Sequence, residues 1–281
     1  MRPFLRWIGS KRKHIEQIKK LMPKNMNTYY EPFVGGGSIL LGLKPTNAVI
    51  NDVNKELMAM FRVMADKDQY DIMISTLKTL DLAKTPELYY KIRNQDREPD
   101  WAEQSDLTVA TRFLFLNRTN YRGIYRCNPK GYNNTPVDHH RASDKFKLLN
   151  MKELTSAHDY LTSANISILN TYDYSSTVKN ATEGDFVLID PPYDYYDEAS
   201  DYNNVYYGNI NFSKADQINI WEMMNELTEK GVKVIAFNFD TPFIKELYDG
   251  YTIIYPDKKL TLRKKGSSEV MILNYNPEVE I

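Results

Sequence analysis

The sequence predicts an α/β fold, a doubly wound sheet into which a mainly helical segment is inserted. Three observations carry this. Phe186-Val187-Leu188-Ile189 is an uninterrupted apolar run, as in a strand buried on both faces. It stops at Asp190-Pro191-Pro192, whose prolines cannot donate to a sheet ladder. Residues 29–64 alternate strand-like and helix-like patterns in the order β-α-β-α. From 66 to 161 strand patterning gives way to helical spacing, and it resumes only at Ile166. The expected division is a core of residues 1–65 and 162–281 around an insert at 66–161.

In chain order, Lys11 to Met22 places Ile15, Ile18 and Met22 at helical spacing. Tyr29 to Phe33 reads as a strand. Val34-Gly35-Gly36-Gly37-Ser38 turns into a helix over 39–43, with Ser38 as the expected N-cap. Ala48-Val49-Ile50 is a second strand ending in Asn51-Asp52, and a helix follows over 55–64. Leu57, Met60 and Phe61 share one face of that helix and read as core. The insert should hold helices at 69–80, 86–96, 104–117 and 150–161, with a hairpin or extended loop at 118–136. Ile166 to Leu169 and Phe186 to Ile189 are strands. A polar loop, 194–212, leads to a helix at 214–229. Further strands are expected at 232–237 and 251–255, with a helix near 242–248 between them and a final antiparallel pair at 259–263 and 269–275.

Composition narrows the class. The chain has 281 residues, 42% hydrophobic and 26% charged, as in a globular protein of one large domain with an insert or two small ones. It has no run of membrane-spanning length. Cys127, the single cysteine, excludes an internal disulfide framework and fits a reducing compartment, so the expected location is the cytoplasm. The four histidines make no recognised zinc spacing with it, and no metal is expected. His139 and His140 are adjacent, which suits loop polarity or a phosphate contact better than joint ligation of a metal. Cys127 has no catalytic histidine beside it in sequence.

Net charge is −1, but the charge is unevenly distributed. Arg2, Arg6, Lys11, Arg12, Lys13, Lys19, Lys20 and Lys24 face only Glu16 within the first 24 residues. Arg112, Arg118, Arg122, Arg126, Lys130, Arg141, Lys145 and Lys147 outnumber Asp138 and Asp144 over 111–150, and Lys258 to Lys265 forms a third cluster. Screening beyond about 8–10 Å makes local sign count for more than the total, so a polyanionic partner is compatible with this chain. Each cluster taken singly is equally a solvated face.

Two stretches carry chemistry. Glu31 to Ser38 lies between a strand and a helix, where glycines permit positive φ and close approach of the backbone. Asp52 ends the next strand and can accept both hydroxyls of a ribose. The run is not Gly-x-Gly-x-x-Gly, so a dinucleotide is not specified. The pair suits a nucleoside with a small charged tail, such as S-adenosylmethionine. Asp190-Pro191-Pro192-Tyr193 stands at the carboxyl end of a central strand, where open α/β sheets bind ligands. Asp190 and the Pro191 carbonyl can each accept an N–H of an exocyclic base amine, and Tyr193 can stack on the base. Alternatively the tetrapeptide is only a strand-ending turn with a solvated acid.

Taken together, these motifs resemble, in order and over nearly the whole chain, the Dam-type DNA adenine methyltransferases, the α class of amino-methyltransferases. Pro3 to Lys11 is similar to that family's N-terminal motif, Glu31 to Ser38 to its cofactor loop, Asn51-Asp52 to its acidic ribose motif and Leu116 to Thr119 to the opening of its recognition hairpin. Asp190 to Tyr193 matches the catalytic motif; Ser213 to Gln217, and Arg263-Lys264-Lys265 with Glu269-Val270, also have counterparts.

The resemblance implies a Rossmann-like seven-stranded methyltransferase core and S-adenosylmethionine as methyl donor. It implies that Trp7, Lys11, Phe33, Gly35, Asp52 and Asp190 line the cofactor site, and that Asp190, Pro191, Pro192 and Tyr193 hold an adenine flipped from duplex DNA. It implies DNA contacts from Arg6, Arg118, Tyr121, Arg122, Arg126 and Asn128, with Arg126 reading a guanine and Tyr121 probing the gap left by the flipped base. The implied site is GATC or a related short sequence. Arg6 stands for a usual lysine, Ser10 for glycine, Arg122 for asparagine and Ile124 for leucine, and these departures bear on the flanking bases. The expected protein is a monomer acting on double-stranded DNA. A cognate restriction endonuclease is left open as a partner. The 194–212 loop, acidic and tyrosine-rich, reads as a lid over the base pocket or else a rigid surface loop. The rival functions are a non-catalytic DNA-binding regulator of the same fold, and an amino-methyltransferase acting on RNA or cytosine.

Overall fold

The computed structural model describes residues 1–194, 202–203, 212–256 and 268–277. In chain order the elements that position the site are α1 (Ile15–Leu21), β1 (Tyr29–Glu31), α2 (Leu40–Leu43), β2 (Asn47–Ile50) and α3 (Lys55–Ala65). Then come α4 (Lys67–Ala83), α5 (Pro86–Arg93), α6 (Asp106–Thr119) and α7 (Met151–Ser163). The chain returns to the sheet with β3 (Asn165–Ile168), α8 (Tyr174–Val178), β4 (Phe186–Ile189), β5 (Tyr202–Asn203), β6 (Phe212–Ser213) and α9 (Lys214–Glu229). It ends in β7 (Lys233–Phe239), α10 (Pro242–Leu247), β8 (Thr252–Ile254) and β9 (Glu269–Leu273). The main sheet has seven strands in the order β3-β2-β1-β4-β7-β9-β8. The first five are mutually parallel; β9 runs antiparallel to both β7 and β8.

β4 is the central strand of the seven, parallel to β1 and β7 on either side, and all four of its side chains are fully buried. Each such side chain contributes about 1.5–3 kcal/mol by leaving water. The strand ends at Asp190, so the acid is held at the carboxyl edge by a fixed core. The neighbouring parallel strand β1 ends near Glu31, and β2 near Asn51-Asp52. Thus the motifs read separately in the sequence meet along one edge of one sheet, as parallel strands require.

The helices begin where polar side chains can take up free backbone N–H groups. Asn54 caps α3, Asp66 α4, Thr85 α5 and Ser105 α6. Ser213 and Asp216 form a reciprocal capping box on α9. Ser38 does not cap α2: its hydroxyl instead accepts the Lys11 backbone N–H at 3.0 Å, and the cap position falls to Ile39. α5 stops at Arg93, and residues 94–97 tighten into a 3₁₀ turn, short of the helix expected through 96. The stretch 118–136 contains no paired strands. α6 runs through Thr119, a 3₁₀ turn covers Tyr121–Gly123, and the arms meet at two isolated antiparallel bridges, Asn120 with Val137 and Cys127 with Asn133. α8 lies where no helix was expected. The strand expected at 259–263 lies outside the described residues, as does most of the 194–212 loop; β5, within it, pairs antiparallel with β6 at its carboxyl end.

One apolar core joins the sheet to the helical segment: Phe4, Leu57, Phe61, Met73, Phe113 and Leu154 belong to it together. A buried polar cluster crosses the same boundary. Arg112 on α6 reaches Glu56 Oε1 at 2.8 Å, Asp96 Oδ2 at 2.6 Å and the carbonyls of Ile92 and Arg93 at 3.1 and 2.6 Å. Its side chain is 1% exposed. Tyr125 donates to Glu56 Oε2, and the Asn133 N–H donates to Asp96 Oδ2 at 2.6 Å. The loop between the bridges is therefore tied to charges carried on α3 and the helical segment. No described helix is long and apolar enough to cross a membrane.

Candidate active site and nucleic-acid interface

Asp190, Lys11 and Tyr193 come together at the carboxyl edge of β4. Lys11 Nζ lies 2.9 Å from Asp190 Oδ1, and the Tyr193 hydroxyl donates to the same oxygen at 3.0 Å. Both donors therefore converge on Oδ1. Among the described residues, nothing donates to Oδ2 or to the Pro191 carbonyl. The carbonyl of Pro192 is engaged, accepting Gln217 Nε2 at 2.8 Å, and Gln217 is held by Asn238 Nδ2 at 2.9 Å. Asn238 Oδ1 in turn accepts the Asp194 N–H at 3.0 Å. The two prolines are thus clamped between α9 and β7, which fixes the turn that aims Asp190. Burial raises the Asp190 carboxyl above its ordinary range; Lys11 opposes the shift. Tyr193 packs edge-to-face with Phe239, at 4.8 Å between centroids, and Lys11 Nζ sits 4.8 Å from the Tyr193 ring centre.

Three residues complete this cluster: Glu269, which the resemblance matched without giving it a role, and with it Lys13 and His14. Glu269, the first residue of β9, accepts the Tyr193 hydroxyl at 2.9 Å on Oε1. Its Oε2 lies 2.8 Å from His14 Nε2 and 3.3 Å from Lys13 Nζ. Burial pushes the Glu269 carboxyl up, but the His14 bond, Lys11 and Lys13 outweigh it and hold the acid at about 2. Tyr174, on the unexpected α8, stacks on Phe33 at 5.2 Å. Glu269 lies 76 residues from Tyr193 in sequence, so spacing gives no signal for it.

The glycine loop and Asp52 form a second cluster one strand away. Asp52 Oδ2 accepts the Gly35 N–H and Oδ1 the Asn54 N–H, both at 3.0 Å. Burial raises the Asp52 carboxyl to about 6, against the pull of those donors. Val53, next in the chain, is 48% exposed, unusual for a valine at a strand end. Asn51 binds Thr171 Oγ1 at 3.1 Å and the Asp173 carbonyl at 2.8 Å, and its buried Oδ1 has no partner among the described residues. Gly35 has φ +48°, open to glycine above all. A Cβ on Gly36 would fall 2.6 Å from Trp7 Cβ, so the missing side chain makes room for Trp7. Trp7 also stacks on Tyr125 at 6.2 Å. The first motif therefore lies between the glycine loop and the 118–136 stretch.

The residues expected at DNA are spread over the adjoining face. Arg6 is gripped by Asn117 on α6, whose fully buried amide accepts the Arg6 N–H at 3.0 Å and donates to its carbonyl at 2.8 Å. The Arg6 side chain crosses Gly123 so closely that a Cβ there would meet its Cδ at 2.7 Å. Arg122, with φ +56°, and Tyr121 are exposed at the turn, the guanidinium over the ring at 5.3 Å. A groove of about 370 Å³ between arm and turn carries Arg2, Arg6, Arg12 and Arg122 against Glu153. Arg126 is exposed, with Nε donating to Asn134 Oδ1 at 2.8 Å. Asn128 is turn-forming: its Oδ1 accepts the N–H groups of Lys130 and Tyr132 at 3.0 and 3.1 Å. Arg118 is half-buried and donates to the Leu148 carbonyl at 2.9 Å; burial, and Arg6 nearby, lower its guanidinium from the ordinary value. Burial raises the Cys127 thiol to about 11, which keeps it protonated and unreactive. Among the described residues no three His, Cys, Asp or Glu side chains are arranged to hold a metal.

This chain is similar to known proteins over most of its length. It is 33% identical over 280 residues to a type II methyltransferase of Lactococcus lactis subsp. cremoris, covering 98% of this chain and 96% of that one. A type II methyltransferase of Methanocaldococcus jannaschii is 30% identical over 98% of this chain and 99% of its own. The DNA adenine methylase of Haemophilus influenzae is 28% identical over 89% of this chain and 83% of its own. Residues 7–262 match the family described as D12 class N6 adenine-specific DNA methyltransferase. The chain belongs to that family and is an adenine-specific DNA methyltransferase.

Proposed function

We propose that the enzyme transfers the methyl group of S-adenosylmethionine to N6 of an adenine flipped out of a short site in duplex DNA. The observation that carries this is the one-sided engagement of Asp190. Lys11 and Tyr193 both bind Oδ1, so Oδ2 and the Pro191 carbonyl remain as acceptors for the two amine N–H bonds. Drawing those bonds out of the ring plane restores the nitrogen lone pair, which is delocalised in the free base. The residues around Asp52 fit the donor. A buried acid at a strand end suits a ribose, and the exposed Val53 and the Phe33–Tyr174 stack suit an adenine ring. S-adenosylmethionine bound there supplies a methyl group on a sulfonium; this chain's residues orient, desolvate and hold the amine.

Residues 66–161 are assigned as the target-recognition insert on the core of residues 1–65 and 162–281. Arg126, oriented by Asn134, is assigned to a guanine, a contact that discriminates by about 1–3 kcal/mol. Arg6 and Arg122 flank one groove and are assigned to the DNA beside it. Arg118 and Asn128 support that surface from within through their bonds to the backbone. The leading target is GATC, and the arginine at position 122, in place of the usual asparagine, makes a variant of that site the alternative.

Asp190→Ala tests the reading. Methylation should fall by at least about 10²-fold, the loss typical of a preorganised polar contact, while duplex binding persists. Retained turnover would sink the assignment. Sequencing of DNA from a host expressing the enzyme reads the modified base and its neighbours. An unchanged target in Arg126→Ala would reject the role of that arginine.

A further inference from the structure

The last strand of the chain, β9, brings to the site an acid to which the resemblance assigns no role. Glu269 is 9% exposed and stands directly behind Tyr193 and Lys11. Its Oε1 accepts the Tyr193 hydroxyl at 2.9 Å and lies 3.6 Å from Lys11 Nζ. Asp190 Oδ1 takes the same two groups at 3.0 and 2.9 Å. Two carboxylates thus share one hydroxyl and one ammonium in a closed ring of four side chains. Lys11 Nζ also donates to the Gly9 carbonyl at 2.9 Å. On the far side, Lys13 and His14 face only Glu269 within the ring.

That arrangement sets which side of Asp190 the two donors occupy. A hydroxyl has one proton to donate, so Tyr193 cannot satisfy both acids at once. An ammonium divided between two carboxylates neutralises each less than it would one alone. Without Glu269, Asp190 is the carboxylate within this ring that remains to both groups, and both could swing toward the oxygen that receives the amine. The backing by Lys13 and His14 keeps Glu269 charged without drawing Lys11 away.

We propose that Glu269 is a positioning residue for methyl transfer. It draws Tyr193 and Lys11 to one side of Asp190 and so keeps the other oxygen open for the adenine amine. This rests on the reading of Asp190 and Tyr193 above. The alternative is a purely structural role, an ion pair fastening residues 11–14 to β9.

The test is Glu269→Gln, which keeps the shape and removes the charge, with Glu269→Asp as the charge-conserving partner. A short duplex with 2-aminopurine at the target position reports extrusion of the base by fluorescence. In Glu269→Gln, single-turnover methylation of the adenine duplex should fall by on the order of 10²-fold, the loss expected of misplaced reacting groups. Duplex affinity and 2-aminopurine fluorescence should stay at the wild-type values, and Glu269→Asp should recover part of the rate. Wild-type turnover in Glu269→Gln overturns the proposal. So does a parallel loss of rate, affinity and melting temperature that Glu269→Asp shares in full, which would assign the residue to folding. Asp190→Ala measured alongside separates the two readings. If it too turns over normally, the site itself is misassigned; if it is inactive while Glu269→Gln is normal, only the role of Glu269 falls.

Discussion

Replacing Arg112 with methionine should be among the most destabilising single changes in the helical segment. The guanidinium is 1% exposed and sits between Glu56 and Asp96, whose side chains are 15% and 6% exposed. Methionine fills much of the volume but leaves two buried acids without that cation. Asp96 retains Arg97 at 2.6 Å and the Asn133 N–H. Glu56 retains the Tyr125 hydroxyl, so the penalty concentrates on Glu56. Breaking a buried pair from one side costs about 3–5 kcal/mol. At roughly 2–4 °C per kcal/mol for a large domain, the melting temperature should drop by about 10 °C. Burial already raises the Glu56 carboxyl and Arg112 opposes it, so the variant should raise it further. An acid with a raised folded-state value loses stability as pH rises through that value. The Arg112→Met penalty should therefore shrink as the pH is lowered, and adding Glu56→Gln should recover most of it. Guanidinium unfolding curves across pH measure both. A penalty below about 1 kcal/mol, or no recovery with Glu56→Gln, would refute the assignment of the cost to Glu56.

Gly36→Ala should cost about 1–3 kcal/mol, the usual range for overpacking, because its Cβ meets the root of the Trp7 side chain. Trp7→Gly should abolish that increment in a double-mutant cycle, whereas Trp7→Ala, which keeps its Cβ, should not; equal penalties in all backgrounds would show that the clash is not with Trp7. Cofactor affinity should weaken as pH falls through about 6, because protonated Asp52 loses an acceptor for the ribose. Calorimetric titration should show that dependence removed in Asp52→Asn; a flat wild-type profile would contradict the ribose assignment.

The sequence disclosed the sheet because its central strands carry their burial in composition. Phe186 to Ile189 has no polar residue to compete with the strand reading, and the prolines mark its end. α9 was equally plain, with apolar residues at helical spacing through sixteen residues. α8 was hidden, since five residues containing two serines and two β-branched side chains hold no periodicity. Ser38 had the right chemistry for a cap, but a tertiary donor, the Lys11 N–H, took its hydroxyl. The residue pairs of the site were legible where one strand end carries them, as with Asp190 and Tyr193. Glu269 was not legible as a partner of His14, 255 residues away, because only the antiparallel placement of β9 beside β7 brings them together. Of the hairpin or extended loop expected at 118–136, the loop is realised, with two isolated bridges between its arms, because Asn128, Asn133 and Asn134 use their side chains to satisfy local backbone and arginine groups.

The grip of Asn117 on both backbone groups of Arg6 bears on how such enzymes could be re-engineered. Exchanging residues 66–161 for the matching segment of a relative would seem a direct way to graft a new target preference. That graft would also exchange the seat of the N-terminal arm, because Asn117 comes with the segment and Arg6 does not. Trp7 and Lys11, a few residues along the same arm, would be displaced with it. A working chimera therefore has to carry residues 1–14 from the donor of its recognition segment, or retain an asparagine at the position of 117.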